Sequence, residues 1–143
     1  MPLKDEIQKV IDLETSAWDR KDADALVDLF HPDMVWPWPP GPSSHDPLTW
    51  VFPLGRYDRE RWKKQWQQLF DDYELMHNNR ETIRIIISEE GDGAFAVVDV
   101  DTLWRHRGNG ELFHWKGRAG KGYTKVKDKW FLIYHTGLLE YGS

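Results

Sequence analysis

The chain has 143 residues, 40% hydrophobic and 30% charged, a balance that predicts one soluble globular domain over residues 1–143. It contains no cysteine, which excludes a disulfide framework, thiolate catalysis and cysteine-ligated zinc. The net charge is −5 and the basic residues are scattered, so we expect no nucleic-acid partner. No apolar run reaches the ~18 residues of a membrane span, so we expect no membrane partner and a cytoplasmic location.

The first part of the chain predicts two helices. Apolar residues recur at a period near 3.6 across residues 3–19, with Pro2 at the start, so this segment is expected to form an amphipathic helix. A shorter helix follows, because Asp22 can accept a hydrogen bond from an N-terminal backbone N–H. The pair His31-Pro32 is expected to end it, since proline disfavours a helical residue before it.

A proline-rich loop and a third helix come next. Residues 34–38 are predicted as a short strand that leads into a loop holding six of the eight prolines, namely Pro37, Pro39, Pro40, Pro42, Pro47 and Pro53. Proline removes a backbone donor, so this loop is stiff and cannot pair inside a sheet. The third helix is predicted to start at Asp58, and its apolar positions at helical spacing are Trp62, Trp66, Leu69, Phe70 and Tyr73.

The rest of the chain predicts antiparallel strands. A β-branched run over residues 82–87 ends at a Gly-Asp-Gly turn, and a strand over residues 94–106 follows. Gly108-Asn109-Gly110 is predicted as the next turn. Two further strands are expected over residues 111–126 and 129–139, joined by Lys127-Asp128.

A two-residue turn at Asn109-Gly110 allows the side chains to be assigned to the two faces of the sheet. It predicts Trp104 opposite Trp115 on one face and Asp101 opposite Arg118 on the other. The apolar face holds Val98, Val100, Thr102, Trp104, Trp130, Leu132 and Tyr134, and we expect the helices to cover it. The second face is expected to carry Asp99, Asp101, Leu103, Phe131, Ile133 and His135, a mixed composition that suits a subunit interface.

The order of elements and five segments resemble a known family. The segments are WDRKDADALVDLF (residues 18–30), HPDMVW (31–36), VVDVDTLWR (97–105), WKGRA (115–119) and DKWFLIYH (128–135). They resemble the nuclear-transport-factor-two-like superfamily, and within it the SnoaL-like small proteins. The resemblance implies an α+β fold in which three N-terminal helices pack on a strongly curved, mostly antiparallel sheet, a cone with a central pocket. It also implies a homodimer formed through the outer face of the sheet.

Three residues are weak candidates for acid–base catalysis. Asp99 and Asp101 lie within a strand, where carboxylates are disfavoured, and an apolar pocket would raise the pKa of such a group. The alternative is that Asp101 pairs with Arg118 and that Asp99 bridges an interface. A small bulge would turn His135 toward the pocket as a proton shuttle. The spacing of the six histidines predicts no metal site, and no motif indicates a cofactor.

Aromatic residues are the candidates for ligand binding, because they supply flat apolar walls with hydrogen-bond donors. The candidates are Trp36, Trp38, Trp50, Tyr57, Trp66, Trp104, Trp115 and Tyr134. The competing interpretation is that large aromatic residues at helix and strand spacing fill the core, and periodicity alone explains Trp66 in this way. Trp36, Trp38, Trp50 and Tyr57 flank the proline-rich loop, which the family resemblance places at the mouth of the cone.

Two hypotheses of function remain open from the sequence. The first is a homodimer that binds a small apolar or aromatic ligand. Whether this homodimer also catalyses a cofactor-free isomerisation, dehydration or hydrolysis stays open from the sequence. The second is a non-catalytic association module. The surroundings of Asp99, Asp101 and His135 separate the two hypotheses, since an unpaired acid or base in a pocket favours an enzyme.

Overall fold

The structure, a computed structural model, describes residues 2–37 and 57–138. Its helices are α1 (Leu3–Asp19), α2 (Ala23–Val27) and α3 (Arg59–Asp72). The predicted N-cap Asp22 accepts from the Ala25 N–H at 3.0 Å, and Asp58, the predicted start of the third helix, is also an N-cap that accepts from the Arg61 N–H at 2.9 Å. None of the helices in these ranges is long and apolar enough to cross a membrane.

Five strands form one curved, unclosed sheet in the order β1-β5-β4-β3-β2. They are β1 (Phe30–Val35), β2 (Tyr73–Ile87), β3 (Gly93–His106), β4 (Leu112–Val126) and β5 (Lys129–His135). β1 runs parallel to β5, and the other neighbours are antiparallel. The predicted α+β fold, with three helices on a strongly curved and mostly antiparallel sheet, is confirmed.

Several boundaries differ from the prediction, since α2 ends at Val27, before the pair His31-Pro32, and β5 ends at His135 rather than at residue 139. Strand β1 already starts at Phe30 and contains Pro32, which is tolerated because β1 lies at the edge of the sheet. Strand β2 starts at Tyr73, directly after α3, and runs through Asn78 and Asn79, well before the predicted start at residue 82. Pairing with β3 along its whole length overrides the local turn preference of asparagine.

The hairpin between β3 and β4 has a longer loop than predicted. The His106 N–H donates to the Glu111 carbonyl, so residues 107–110 form a four-residue loop rather than a two-residue turn. The register therefore shifts by two positions, and Trp104 pairs with Phe113 while Asp99 pairs with Arg118. A shift of two keeps every side chain on its predicted face.

Bulges change the faces in two other strands. Lys127 and Asp128 form the predicted turn with positive φ values of 50° and 66°, but Ile133 is an extra residue in β5. The bulge reverses the predicted orientation of the last two residues, so Tyr134 is 38% exposed and His135 is buried. In β2, Met76 and Ile83 are likewise bulge residues that have no pairing partner in β3.

The helices cover the predicted apolar face of the sheet, which we call the inner face. Val98, Val100, Thr102 and Trp104 of β3 are all buried there. The alternating residues of β3, such as Asp99 and Asp101, lie on the opposite side, which we call the outer face.

We expect Asp58→Ala to lower the free energy of unfolding by about 1 kcal/mol, because α3 loses the side chain that accepts from the Arg61 N–H. Urea denaturation followed by circular dichroism measures the change. Asp58→Asn is the matched control, since its side-chain oxygen still accepts. Equal stability of Asp58→Ala and the wild type would contradict this role.

Candidate functional site

A cavity of about 310 Å³ lies between the helices and the inner face of the sheet. Aromatic rings make up most of its wall. The residues that line it are Glu14, Trp18, Trp36, Trp62, Gln65, Trp66, Leu69, Arg80, Val100, Phe113, Trp115, His135 and Leu138.

The tryptophan rings of the wall hold one another in place. Trp18 meets the edges of Trp66 and Trp115 at ring distances of 5.0 and 5.3 Å, with the planes nearly perpendicular. Trp36 stacks on the imidazole of His135, with ring centres 3.8 Å apart and planes 19° apart. Such edge and stacked contacts add to the energy of burial. The wall is therefore a rigid, flat-sided surface.

The polar end of the cavity is built around the buried carboxylate of Glu14. Its Oε1 accepts from the Lys121 ammonium at 2.8 Å, and its Oε2 accepts from the Trp18 indole N–H at 3.1 Å. The Arg80 guanidinium lies 3.5 Å from the same Oε2. These donors occupy both carboxylate oxygens, so Glu14 is a poor proton acceptor.

Charge and burial act in opposite directions on this cluster. Burial alone would raise the pKa of Glu14, but the charges of Lys121 and Arg80 outweigh it and lower that pKa to about 2. Burial lowers the pKa of Lys121 by more than the nearby Glu14 carboxylate raises it, and it also lowers the pKa of Arg80. The two-oxygen contact between Lys121 and Glu14 is that of an ion pair.

Two groups of the lining residues are buried without a hydrogen-bond partner in the described ranges, the Trp66 indole N–H and the His135 Nδ1. Burial, and next the charge of Lys121, lower the pKa of His135 well below 6.5, so the imidazole is neutral at pH 7. An unpaired buried polar group costs on the order of 1–3 kcal/mol, a cost that a bound molecule can remove.

The structure brings together three of the eight predicted ligand-binding residues, since Trp36, Trp66 and Trp115 line the cavity. Trp104 is fully buried in the core, packed on Phe70 and behind Trp115, rather than in the wall. Tyr57 packs edge-on against Trp62, outside the cavity lining. Tyr134 lies on the outer face because of the bulge at Ile133. Trp38 and Trp50 lie outside the described residues.

The predicted catalytic candidates separate to the two sides of the sheet. His135 lines the cavity, whereas Asp99 and Asp101 lie on the outer face, because side chains alternate along β3. Asp99 accepts two hydrogen bonds from Arg118, at 2.6 and 3.0 Å, in place of the predicted pairing of Arg118 with Asp101. Neither carboxylate reaches the cavity.

Asp101 has a different pair of neighbours. Its Oδ1 lies 2.6 Å from the Nε2 of His114 and 2.9 Å from the Nε2 of His77. Hydrogen bonds from His114 and then His77 lower the pKa of Asp101 to about 2. Spacing along the chain missed this grouping because its members come from three strands.

Sequence reasoning also missed the charged end of the cavity. Glu14 sits on the buried stripe of α1 with Ile7, Ile11 and Trp18, so its helical spacing was a usable signal. Lys121 falls at a position of β4 whose side chain, by strand alternation, points to the apolar face, which was a second signal. Arg80 gave none, because its orientation depends on the bulge at Met76.

We expect Glu14→Gln to lower the free energy of unfolding at pH 7 by about 3 kcal/mol, because it leaves Lys121 and Arg80 buried without their carboxylate. The folded pKa lies below the ordinary 4.5, so this stabilisation is complete above pH 4.5 and is lost as pH falls toward 2. Urea unfolding of both proteins at a series of pH values measures it. A constant difference between pH 7 and pH 2.5 would contradict the assignment.

The fold is shared with several solved structures. An NTF2-like protein from Cytophaga hutchinsonii aligns with 95% of this chain and 97% of its own, at 15% identity and a TM-score of 0.71. A ketosteroid isomerase-like protein from Erwinia carotovora atroseptica aligns over 96% and 95%, at 12% identity and a TM-score of 0.69. A proposed scytalone dehydratase from Novosphingobium aromaticivorans aligns over 93% and 80%, at 14% identity and a TM-score of 0.67.

A comparison with curated proteins gives no match. The family comparison does give one, since the SnoaL-like domain matches residues 11–130, from the middle of α1 into β5. That segment includes α2, α3 and the strands β1 to β4 entirely. The match agrees with the helix-and-sheet order and with the nuclear-transport-factor-two-like fold of the structural neighbours. The chain therefore belongs to the family of SnoaL-like domains.

Proposed function

We propose that this chain binds a small, flat, mainly apolar ligand that carries one hydrogen-bond acceptor. The observation that carries the proposal is the cavity wall, in which tryptophan rings surround two buried and unpaired polar groups, the Trp66 N–H and the His135 Nδ1. The acceptor of such a ligand would pair with the Trp66 N–H, a donor that has no partner among the described residues.

The shape and size of the cavity support a flat molecule. Five of the wall residues present faces and edges of indole rings, against which an aromatic or polycyclic ring packs well, namely Trp18, Trp36, Trp62, Trp66 and Trp115. A volume of about 310 Å³ is at the lower end of small-molecule sites, so a ligand of one or two rings fits best.

The polar groups support an acceptor on that ligand. The indole N–H of Trp66 and the guanidinium of Arg80 can only donate hydrogen bonds. Two buried cations, Arg80 and Lys121, lie beside one buried carboxylate, Glu14. The carboxylate of Asp19 also favours the charged form of Arg80, but Asp19 is exposed to solvent. A carbonyl or carboxylate oxygen next to Arg80 is favoured by this balance.

We expect 2-naphthoate to quench the tryptophan fluorescence and to bind more tightly than naphthalene, which has the same rings without the acceptor. Trp66→Phe is expected to weaken 2-naphthoate binding by about tenfold, because it removes the unpaired donor. Trp104→Phe is the matched control, since its buried N–H is also unpaired but lies outside the cavity lining. Isothermal titration calorimetry gives the affinities.

Three results would contradict the proposal: no saturable binding of either probe, equal affinity for both probes, or an equal loss of affinity in the two tryptophan variants.

Acid–base catalysis is a second candidate, favoured by the state of His135. Its imidazole is neutral and keeps one nitrogen lone pair that can take a proton from a bound substrate, as a weak base, because burial and the charge of Lys121 lower its pKa. A proton taken from carbon α to a ketone would leave negative charge on the carbonyl oxygen, where Trp66 and Arg80 can stabilise it. The structural neighbours named for an isomerase and a dehydratase support this reaction class only through their fold.

We expect the wild type to accelerate the exchange of the α-hydrogens of 2-tetralone in D2O, followed by proton NMR. His135→Gln is expected to bring the exchange back to the buffer rate while 2-naphthoate still binds. Exchange at the buffer rate in the wild type, or unchanged in the variant, would contradict the catalytic candidate and leave the binding proposal in place.

Association through the outer face is the third candidate and does not exclude the other two. Several apolar side chains are exposed there, including Ile86, Phe95 and Leu112, of which Phe95 is 67% exposed. Ile86 of β2 pairs with Phe95 of β3. Phe95 pairs with Gly122 of β4, and Gly122 in turn pairs with Tyr134 of β5, so the three side chains follow one row across the outer face. Exposed apolar groups of this kind favour a subunit contact.

Sedimentation velocity at low micromolar protein is expected to give a homodimer, and Phe95→Glu is expected to give a monomer. Leu13→Glu is the matched control, because Leu13 is an exposed apolar residue of α1, away from the sheet. A monomeric wild type, or a dimer that survives Phe95→Glu, would contradict an interface at this patch.

A further inference from the structure

We propose that His77, Asp101 and His114 bind a divalent transition-metal ion on the outer face of the sheet. This site is independent of the cavity, which lies on the inner face, and of the ligand proposed for it. The proposal rests on the position of the three side chains on the strands, on their distances and on their exposure.

The sheet brings the three residues together from adjacent strands. Leu103 of β3 pairs with His77 of β2 on one side and with His114 of β4 on the other. Asp101 precedes Leu103 by two residues and therefore lies on the same face. Both imidazoles therefore approach the carboxylate diagonally, a distance that long side chains can span. The ligands lie on rigid paired backbone rather than on a loop.

A bulge is responsible for the orientation of His77. Leu75 pairs with Trp104 on the inner face, and strict alternation would put residue 77 on that face as well. Met76 is the extra residue, so His77 pairs with Leu103 and points outward. Bulges commonly redirect a side chain at functional positions.

The distances suit metal ligation. One nitrogen or oxygen atom from each of the three side chains lies within 4.8 Å of the others. The carboxylate oxygen is 2.9 Å from the nitrogen of His77 and 2.6 Å from that of His114. Ligand atoms around a tetrahedral zinc ion with bonds of about 2.1 Å lie about 3.4 Å apart, so side-chain rotations that widen these two separations by less than about 1 Å complete the geometry.

The chemistry of the donors selects the ion. Two imidazoles and one carboxylate are a ligand set for zinc and other first-row divalent ions, whereas magnesium and calcium prefer oxygen. The side chains of His77, Asp101 and His114 are 38%, 39% and 44% exposed, so an ion can enter from solvent. The remaining coordination positions would be open to water or to another ligand.

A hydrogen-bonded trio without metal is the competing explanation, and metal titration separates the two. We expect Zn²⁺ to bind to the wild type with saturation at one ion per chain, measured by isothermal titration calorimetry in a non-chelating buffer. His77→Ala, His114→Ala and Asp101→Asn are each expected to weaken binding by about tenfold or more. His31→Ala, which changes an imidazole of β1 outside the cluster, is the matched control and should retain wild-type affinity.

A second measurement on the wild type avoids any effect of substitution on folding. In histidine-selective NMR spectra, Zn²⁺ is expected to shift the ring signals of His77 and His114 and to leave those of His135 unchanged. The proposal is overturned by the absence of saturable binding, by full affinity in His77→Ala and His114→Ala, or by Zn²⁺ shifts confined to other histidines.

Discussion

The buried carboxylate of Glu14 is the contact on which the rest of the molecule depends. It joins α1 to β4 through Lys121 and to β2 through Arg80, and it also fixes the ring of Trp18. Lys121 and Glu14 are almost completely inaccessible to solvent, so neither charge has an alternative partner in water. The ion pair therefore adds a direct electrostatic link between the first helix and the sheet to the apolar packing of Ile7, Ile11 and Trp18. Glu14 and Arg80 of this cluster give the cavity a polar end, whereas tryptophan rings form most of the remaining wall.

Extra residues in the strands decide which side chains reach which side of the sheet. Met76 turns Asn78 and Arg80 inward and His77 outward, so one inserted residue contributes to both the cavity and the histidine–aspartate cluster. The Oδ1 of Asn78 accepts hydrogen bonds from the Thr102 hydroxyl at 2.7 Å and from the Arg80 Nε–H at 2.9 Å. The second bond orients the guanidinium toward Glu14. In β5, the extra Ile133 brings His135 under Trp36. The two faces of the sheet are thus chemically different although the strands that form them are continuous.

The sequence predicts the architecture well and the site only in part. Periodicity located α1 and α3, and alternation located the inner face of β3, because both depend on local burial patterns that neighbouring residues reveal. Trp36, Trp66, Trp115 and His135 were predicted as site residues and line the cavity, while Glu14 was readable from its helical spacing but was not recognised. The positions of Arg80, His77 and Tyr134 depend on bulges, which follow from pairing between distant strands and leave no local signal. Asp99 and Asp101 were placed on the correct face, but their partners depended on a loop length that Asn109-Gly110 alone does not fix.

The irregular residues of the edge strands have a consequence for the behaviour of the protein at high concentration. Among the described residues, β1 and β2 form the two edges of the sheet, and each exposes backbone groups that could pair with another molecule. Pro32 interrupts the first edge by removing a donor, and the inserted Met76 and Ile83 break the regular spacing of donors and acceptors along the second. A straight β2 of fifteen residues would be a template for open-ended strand addition. The inserted residues of β2 therefore also make its free edge a poorer template for the addition of another strand.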